Sequence, residues 1–413
     1  MAKNFSKKIS GIISKVFFSV FFIYREILSN NLFNGNGLIM WGLLIASLLF
    51  NFFAVGFKWD GNSDYLWFWL FIIYTIVSGM YVAKNTGLVS TWGTSFIISL
   101  IAFYLVLSYS KSDGHIDASI NILIIVALAA IVVTRATGGM DLVRVSMSES
   151  ANANSLGVMM MFAIAAVIYK INNAKKRLIE ITPLVVLTLV FVYYMISTVS
   201  KKAILGTVIL LLLWMFFCLP KQFSGSILTK WLLSVSIVIL VLLGFYIIFK
   251  NKEIERYKYI YDRISGIQSD ESTKERMALI REAWKIFLDH PVVGVGLNNC
   301  RYYIDIRETY SHSNYLELLS CTGLIGTFLF FKPVFSIIKN TVSKRNYHKK
   351  TRNNIFVQSE YMIIIMAVIL FIYISQIAIY DFTHIYMLAI MCAYSQINNP
   401  KIKTRHIRIV IGR

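Results

Sequence analysis

Long apolar runs, one after another, leave this chain few folds. They lie at about 37–57, 65–83, 91–109, 116–133, 151–169, 181–199, 203–219, 226–249, 315–338, 357–378 and 385–397, the last being short. A membrane-spanning helix needs about 20 mostly apolar residues in a row, and most of these runs supply that. With 57% of its residues hydrophobic, the chain holds more apolar surface than one soluble core can take. The fold class expected is all-α: a polytopic integral membrane protein. A weaker run at about 9–28 contains the apolar stretch Val16 to Tyr24 but also Lys15 and Arg25. Such side chains can snorkel near the end of a span, or the segment can lie flat as an interfacial helix.

The charges between the runs orient them. Lys339, Lys344, Arg345, Lys349, Lys350 and Arg352 crowd the loop 339–354, and Lys170, Lys175, Lys176 and Arg177 crowd 170–177. Basic loops stay in the cytoplasm. Alternating the spans from these anchors leaves Lys3, Lys7 and Lys8 inside only if the run 9–28 crosses. The expectation is therefore about twelve transmembrane helices with both termini cytoplasmic, the alternative being eleven.

This topology leaves one large extracytoplasmic loop, 251–314, between an N-terminal bundle (1–250) and a C-terminal part (315–413) of transmembrane helices with a basic cytoplasmic tail. Within the loop, Ser272 to Asp289 predicts an amphipathic helix, with Ala278, Ile280, Ala283, Trp284, Phe287 and Leu288 as its apolar face. Pro291 ends it, and Gly294 and Gly296 follow in a turn-like segment.

The net charge of +20 would suggest nucleic acid in a soluble protein. Here it gathers in short loops and sets orientation, so no nucleic-acid partner is expected. The four cysteines form no CxxC or Cys/His cluster, and neither a disulfide framework nor a metal site is indicated. Trp59, Trp67, Trp69 and Trp92 lie near expected interfaces and read as an aromatic belt.

The string most suggestive of chemistry is Ser311-His312-Ser313-Asn314-Tyr315, continuing to Cys321-Thr322-Gly323-Leu324-Ile325-Gly326. His312 stands where the long loop re-enters the membrane, and a neutral imidazole near pH 7 is a competent general base. Gly323 and Gly326 allow close helix contact. Asp381 and His384 form a smaller polar group between the last two runs.

The spacing His, Ser, nine residues, Gly, two residues, Gly resembles the signature of the O-antigen ligase and polysaccharide polymerase superfamily. The stretch Arg276 to Asn298, with Trp284, Asp289-His290-Pro291 and Gly294-Val295-Gly296, is similar to that family's loop. Asn152-Ala153-Asn154-Ser155-Leu156-Gly157 is similar to another of its segments. The resemblance implies a bacterial cell-membrane enzyme that moves glycan from an undecaprenyl-pyrophosphate carrier to an acceptor hydroxyl at the extracytoplasmic face, with inversion and without a cofactor. It implies His312 as catalytic base. It also implies cations for the pyrophosphate leaving group, because no Walker motif, paired-carboxylate motif or metal cluster is evident in the sequence.

Arg276 matches the family's loop arginine and can hold phosphate oxygens with two parallel hydrogen bonds. Arg281, on the same helix, is the fallback. Many relatives have Ser-Arg outside the sixth strong span, where this chain has Ser200-Lys201-Lys202. Lys201 takes the arginine's place, giving a point charge where the family has a planar fork, with Lys202 beside it. Arg135, Arg144, Asn298 and Asn314 are further candidates for substrate contact. The expected function is repeat-unit polymerase. The ligase sibling, which transfers finished glycan to another lipid or a protein, is the alternative. A lipid-linked oligosaccharide transporter is the rival from another class. The expected partners are the lipid-linked oligosaccharide, the bilayer and other polysaccharide-assembly membrane proteins.

Overall fold

The computed structural model describes residues 2–29, 36–56, 62–140, 144–148, 151–174, 178–219, 270–304, 309–350, 353–397 and 399. These residues form twelve α-helices and no strand: α1 (Ala2–Ile23), α2 (Gly37–Val55), α3 (Ser63–Val82), α4 (Thr86–Asp113), α5 (Asp117–Ala136), α6 (Ala153–Asn173), α7 (Leu178–Ser197), α8 (Lys201–Phe217), α9 (Asp270–Asp289), α10 (Asn314–Tyr347), α11 (Asn354–Ile372) and α12 (Phe382–Gln396). Eight of them, α2 to α7, α10 and α11, are long and apolar enough to cross a membrane. The chain is a polytopic membrane protein. The run 226–249 lies outside the described residues. α8 and α12 have 17 and 15 residues, short of a full crossing by length alone.

α6 and α12 form the centre and are buried on nearly every side. α2 and α7 lie outside, with Leu49, Phe53, Val186 and Leu189 exposed. In water such surface would be a liability; lipid accounts for it. Successive helices run antiparallel, so polar ends collect at two faces. One face holds Lys15–Asp113 at 2.7 Å and Arg345–Glu360 at 2.8 Å. There Lys344 Nζ also donates to the carbonyls of Tyr394 and Ile397, at 2.8 and 2.7 Å. The other face gathers the C-terminal ends of α1, α7 and α11 with the N-terminal ends of α6, α8, α10 and α12.

α10 has 34 residues, about 50 Å of helix at 1.5 Å per residue. It breaks at Gly323, whose φ is 63° and ψ −168°. The backbone groups freed there are taken by the turn after α9. Val295 and Gly296 N–H donate to the carbonyls of Ser320 and Cys321, at 3.0 and 2.9 Å. Leu324 and Ile325 N–H donate to the carbonyls of Pro291 and Val292, at 2.8 and 3.3 Å. Buried backbone groups must be paired, most of all away from water. Gly294 and Gly323 are thus one device: each side of the contact lacks a side chain so that two backbones can touch, while Gly296 meets Ala83 just after α3 and Gly326 meets Thr322 and Tyr74. A Cβ on Gly294 would lie 2.5 Å from the carbonyl carbon of Cys321.

α9 forms over the expected residues, but its buried face is rotated. Leu279, Ala283, Ile286 and Phe287 pack inward, while Trp284 and Leu288 are 46% and 58% exposed. The helix docks on α10 through the i, i+4, i+7, i+8 stripe that begins at Leu279. Trp284 and Leu288 fall outside it.

Candidate active site

Val199, Asn298 and His312 are the only non-glycine residues with positive φ among the described residues, at 53°, 56° and 59°. All three line one cavity of about 570 Å³ at the polar face. This backbone region costs on the order of 1–3 kcal/mol per non-glycine residue and concentrates at functional sites.

Each strained turn is clamped from behind. Ser311 N–H donates to the buried Glu317 carboxylate at 3.2 Å, and the single Ser311 hydroxyl proton lies within reach of both that carboxylate and the Ser313 carbonyl, each 3.0 Å from Oγ. His312 therefore projects from a fixed loop, edge-on to the Tyr310 ring at 4.7 Å. Asn298 N–H donates to Tyr380 Oη at 2.9 Å. The corner around Val199 rests on α6, where a Cβ on Gly157 would meet Thr198 Oγ1 at 2.7 Å. That close approach explains the glycine of the Asn152–Gly157 segment. Asn152 caps α6 by accepting from Asn154 N–H at 2.9 Å, and both asparagines face the cavity.

The cavity draws cations from distant segments: Lys201 and Lys202 from the first turn of α8, Arg276 from α9 and Arg301 from the turn that follows. Lys202 precedes the apolar run of α8. Burial, then the like charge of Arg276, pushes its ammonium down to about 8, with Asp381 opposing and Arg144 adding to the depression. Lys202 is thus the more enclosed of the two lysines, while Lys201 is exposed.

Acids line another part of the wall. Glu26, on a π-helical turn (Tyr24–Leu28) that follows α1, accepts from Thr383 Oγ1 at 3.2 Å. Asp381 caps α12, accepting from the N–H groups of Thr383 and His384 at 2.9 and 3.3 Å. Burial works to raise the Asp381 carboxyl, but the His384 side chain and the N–H groups of His384 and Thr383 together hold it below the usual value.

Several expected residues lie elsewhere. Arg281 is exposed and does not line the cavity; five residues on from Arg276, it is turned about 140° round the helix. Arg135 donates to Tyr194 Oη at 2.6 Å. Arg144 donates to Asn154 Oδ1 at 3.1 Å and so stands behind the wall. Asn314 is buried and accepts from the N–H groups of Ala378 and Ile379 at 2.9 and 2.8 Å, fastening α10 to the loop before α12. His384 is buried against Phe162 with Nδ1 3.4 Å from Asp381 Oδ2. Trp92, expected in an aromatic belt, lines the cavity with its ring 4.4 Å from that of Tyr380. Arg301, Glu26, Gln376 and Tyr380 are site residues that the sequence did not single out. Cys300, Glu317 and Cys321 form one buried cluster whose donor atoms lie within 4.8 Å of one another. The carboxylate there already accepts from Ser311, and Cys321 Sγ lies 3.5 Å from it.

Residues 183–331 match the family described as O-Antigen ligase. The chain carries an O-antigen ligase family domain. The match runs from α7 through the break in α10, and so contains Lys201, Lys202, Arg276, Arg301 and His312. Glu26, Trp92, Asn152 and Asp381 come from outside it and complete the cavity. The family is one of membrane glycosyltransferases, with glycan transfer of the O-antigen ligase and polymerase type. Its substrates are lipid-linked glycans. No curated protein matches the chain.

Proposed function

We propose that the chain is a polysaccharide repeat-unit polymerase, working in the bacterial cell membrane with its cavity open to the extracytoplasmic side. The observation that carries this reading is the convergence of His312, Arg276, Lys201 and Lys202 on one cavity from three chain segments. In the proposed reaction an acceptor sugar hydroxyl loses its proton to a ring nitrogen of His312. Its oxygen bonds to the donor sugar's anomeric carbon. The bond from that carbon to the pyrophosphate oxygen breaks on the opposite face, and the electron pair leaves with the undecaprenyl pyrophosphate. Arg276 and Lys202 neutralise the charge that develops there, Lys202 from a partly enclosed position that strengthens its effect. Glu26, Gln376 and Asp381 suit sugar hydroxyls, and Trp92 offers an aromatic face to a ring. α1 packs along α2, with Ser14 Oγ donating to the Ser47 carbonyl at 2.7 Å and Phe17 stacked on Phe50, which supports a crossing by the run 9–28.

The glycan left on the lipid carrier in cells lacking this protein tests the reading. Single repeat units are expected. Long chains would favour the ligase alternative, transfer to another lipid or protein, and a carrier held at the cytoplasmic face would favour a transporter. Sidedness has its own test. All four native cysteines are buried, so single cysteines introduced at exposed positions report cleanly. An impermeant thiol reagent should label Asp289→Cys in intact cells and spare Lys349→Cys. The reverse pattern would invert the assignment.

A further inference from the structure

Arg301 was not singled out by its sequence context, yet no acid pairs with it among the described residues. Its backbone is unusually well fixed. Asn299 Oδ1 accepts from Asn85 N–H at 2.8 Å, and Asn299 Nδ2 donates to the Asn85 carbonyl at 3.1 Å, tying the turn to the corner between α3 and α4. Asn298 holds Tyr380 on one side and accepts from Arg301 Nη2 at 2.6 Å on the other. That is the only hydrogen bond the guanidinium makes among the described residues, and its Nε is buried without a partner. Among the described residues, Glu317 acts on it electrostatically but forms no ion pair with it within 4.0 Å; its oxygens serve Ser311, Cys321 and Tyr380. A guanidinium has five N–H donors, and leaving a buried one without an acceptor is costly. The strained Asn298 thus orients a planar, under-satisfied donor fork at the wall that also carries Arg276 and the two lysines.

We infer that Arg301 is a phosphate-binding residue of this site, supplying a second guanidinium, beside Arg276, to a pyrophosphate-bearing ligand. The inference rests on the pyrophosphate reading above and adds a residue to it. Lysines provide point charges that follow a phosphate loosely, whereas two guanidinium forks can fix its two phosphorus centres in a set orientation.

The test uses the full-length protein in detergent, with inorganic pyrophosphate as the probe and ligand-induced thermal shift as the measure of affinity. Arg301→Ala should bind pyrophosphate about tenfold more weakly, and Arg301→Lys should fall between it and the wild type. Adding Lys201→Arg to Arg301→Ala should recover much of the loss, because it restores a guanidinium to the same cavity. A residue that merely holds the turn would lower the unliganded melting temperature and would not be rescued from α8. Unchanged pyrophosphate affinity in Arg301→Ala, or no rescue by Lys201→Arg, overturns the inference. If Arg276→Ala weakens binding while Arg301→Ala does not, only the Arg301 assignment falls. If neither weakens it, the pyrophosphate reading falls as well.

Discussion

His312→Ala should insert and accumulate like the wild type yet form little or no polymer, with single repeat units building up on the lipid carrier. General-base assistance typically contributes a factor of about 10² to 10⁴, so a loss of that order is expected in the rate of chain extension. The structure sharpens this expectation. His312 is half-buried at the cavity wall and its φ of 59° is imposed by neighbours, Glu317 through Ser311 above all. Alanine is also strained at that φ, so the comparison with wild type isolates the imidazole and not the turn. His384→Ala is the control. That ring is buried between α6 and α12 against Phe162, so its loss should reduce abundance more than specific activity. A His312→Ala protein that makes a normal glycan ladder at wild-type abundance would remove the base from the proposed mechanism.

The control works because only one of the two histidines reaches the cavity, and this separation was only partly legible beforehand. The hydrophobic runs that fall among the described residues each became a helix, since lipid demands long apolar stretches whatever the tertiary contacts, but their ends moved: the run 315–338 extends to Tyr347 and the run 357–378 stops at Ile372. His312, Arg276 and the lysine pair were legible because they sit in spaced motifs next to those runs. Glu26 was not. In the sequence it is one charge at the ragged end of the weakest span, and only the π-helical turn and the packing of α1 against α12 bring it to the site. Trp92 was legible only in part: an aromatic belt and a cavity wall use the same residue at the same depth, and only the contact with Tyr380, 288 positions later, brings it to the cavity. Arg281 shows the opposite error. It shares a helix with Arg276 but not a face, and the helical period alone carries that distinction.

The fold's dependence on its glycine motif gives the last expectation. Gly323→Ala should lower the amount of folded protein several-fold before any effect on chemistry is measured. The backbone there, at φ 63° and ψ −168°, lies in a region open essentially to glycine alone. A Cβ would also collide with the Val292 carbonyl. The strain, on the order of 1–3 kcal/mol, is a large fraction of a typical folding free energy, and losses of about 1–2 kcal/mol change cellular abundance several-fold. Relief by backbone movement would separate Val295 and Gly296 from the Ser320 and Cys321 carbonyls and leave buried polar groups unpaired. The turn that carries Asn298 and Arg301 continues directly from those two residues, so material that does fold should also bind pyrophosphate more weakly. Gly326→Ala probes a different contact: its Cβ would press on the Thr322 side chain one turn back and come within 3.0 Å of the Tyr74 ring, but at a residue without positive φ. It should be the milder of the two. Membrane abundance by immunoblot, with thermal unfolding of the purified variants, measures both. Gly323→Ala at wild-type abundance and melting temperature would mean that the break in α10 does not hold the loop to the helix.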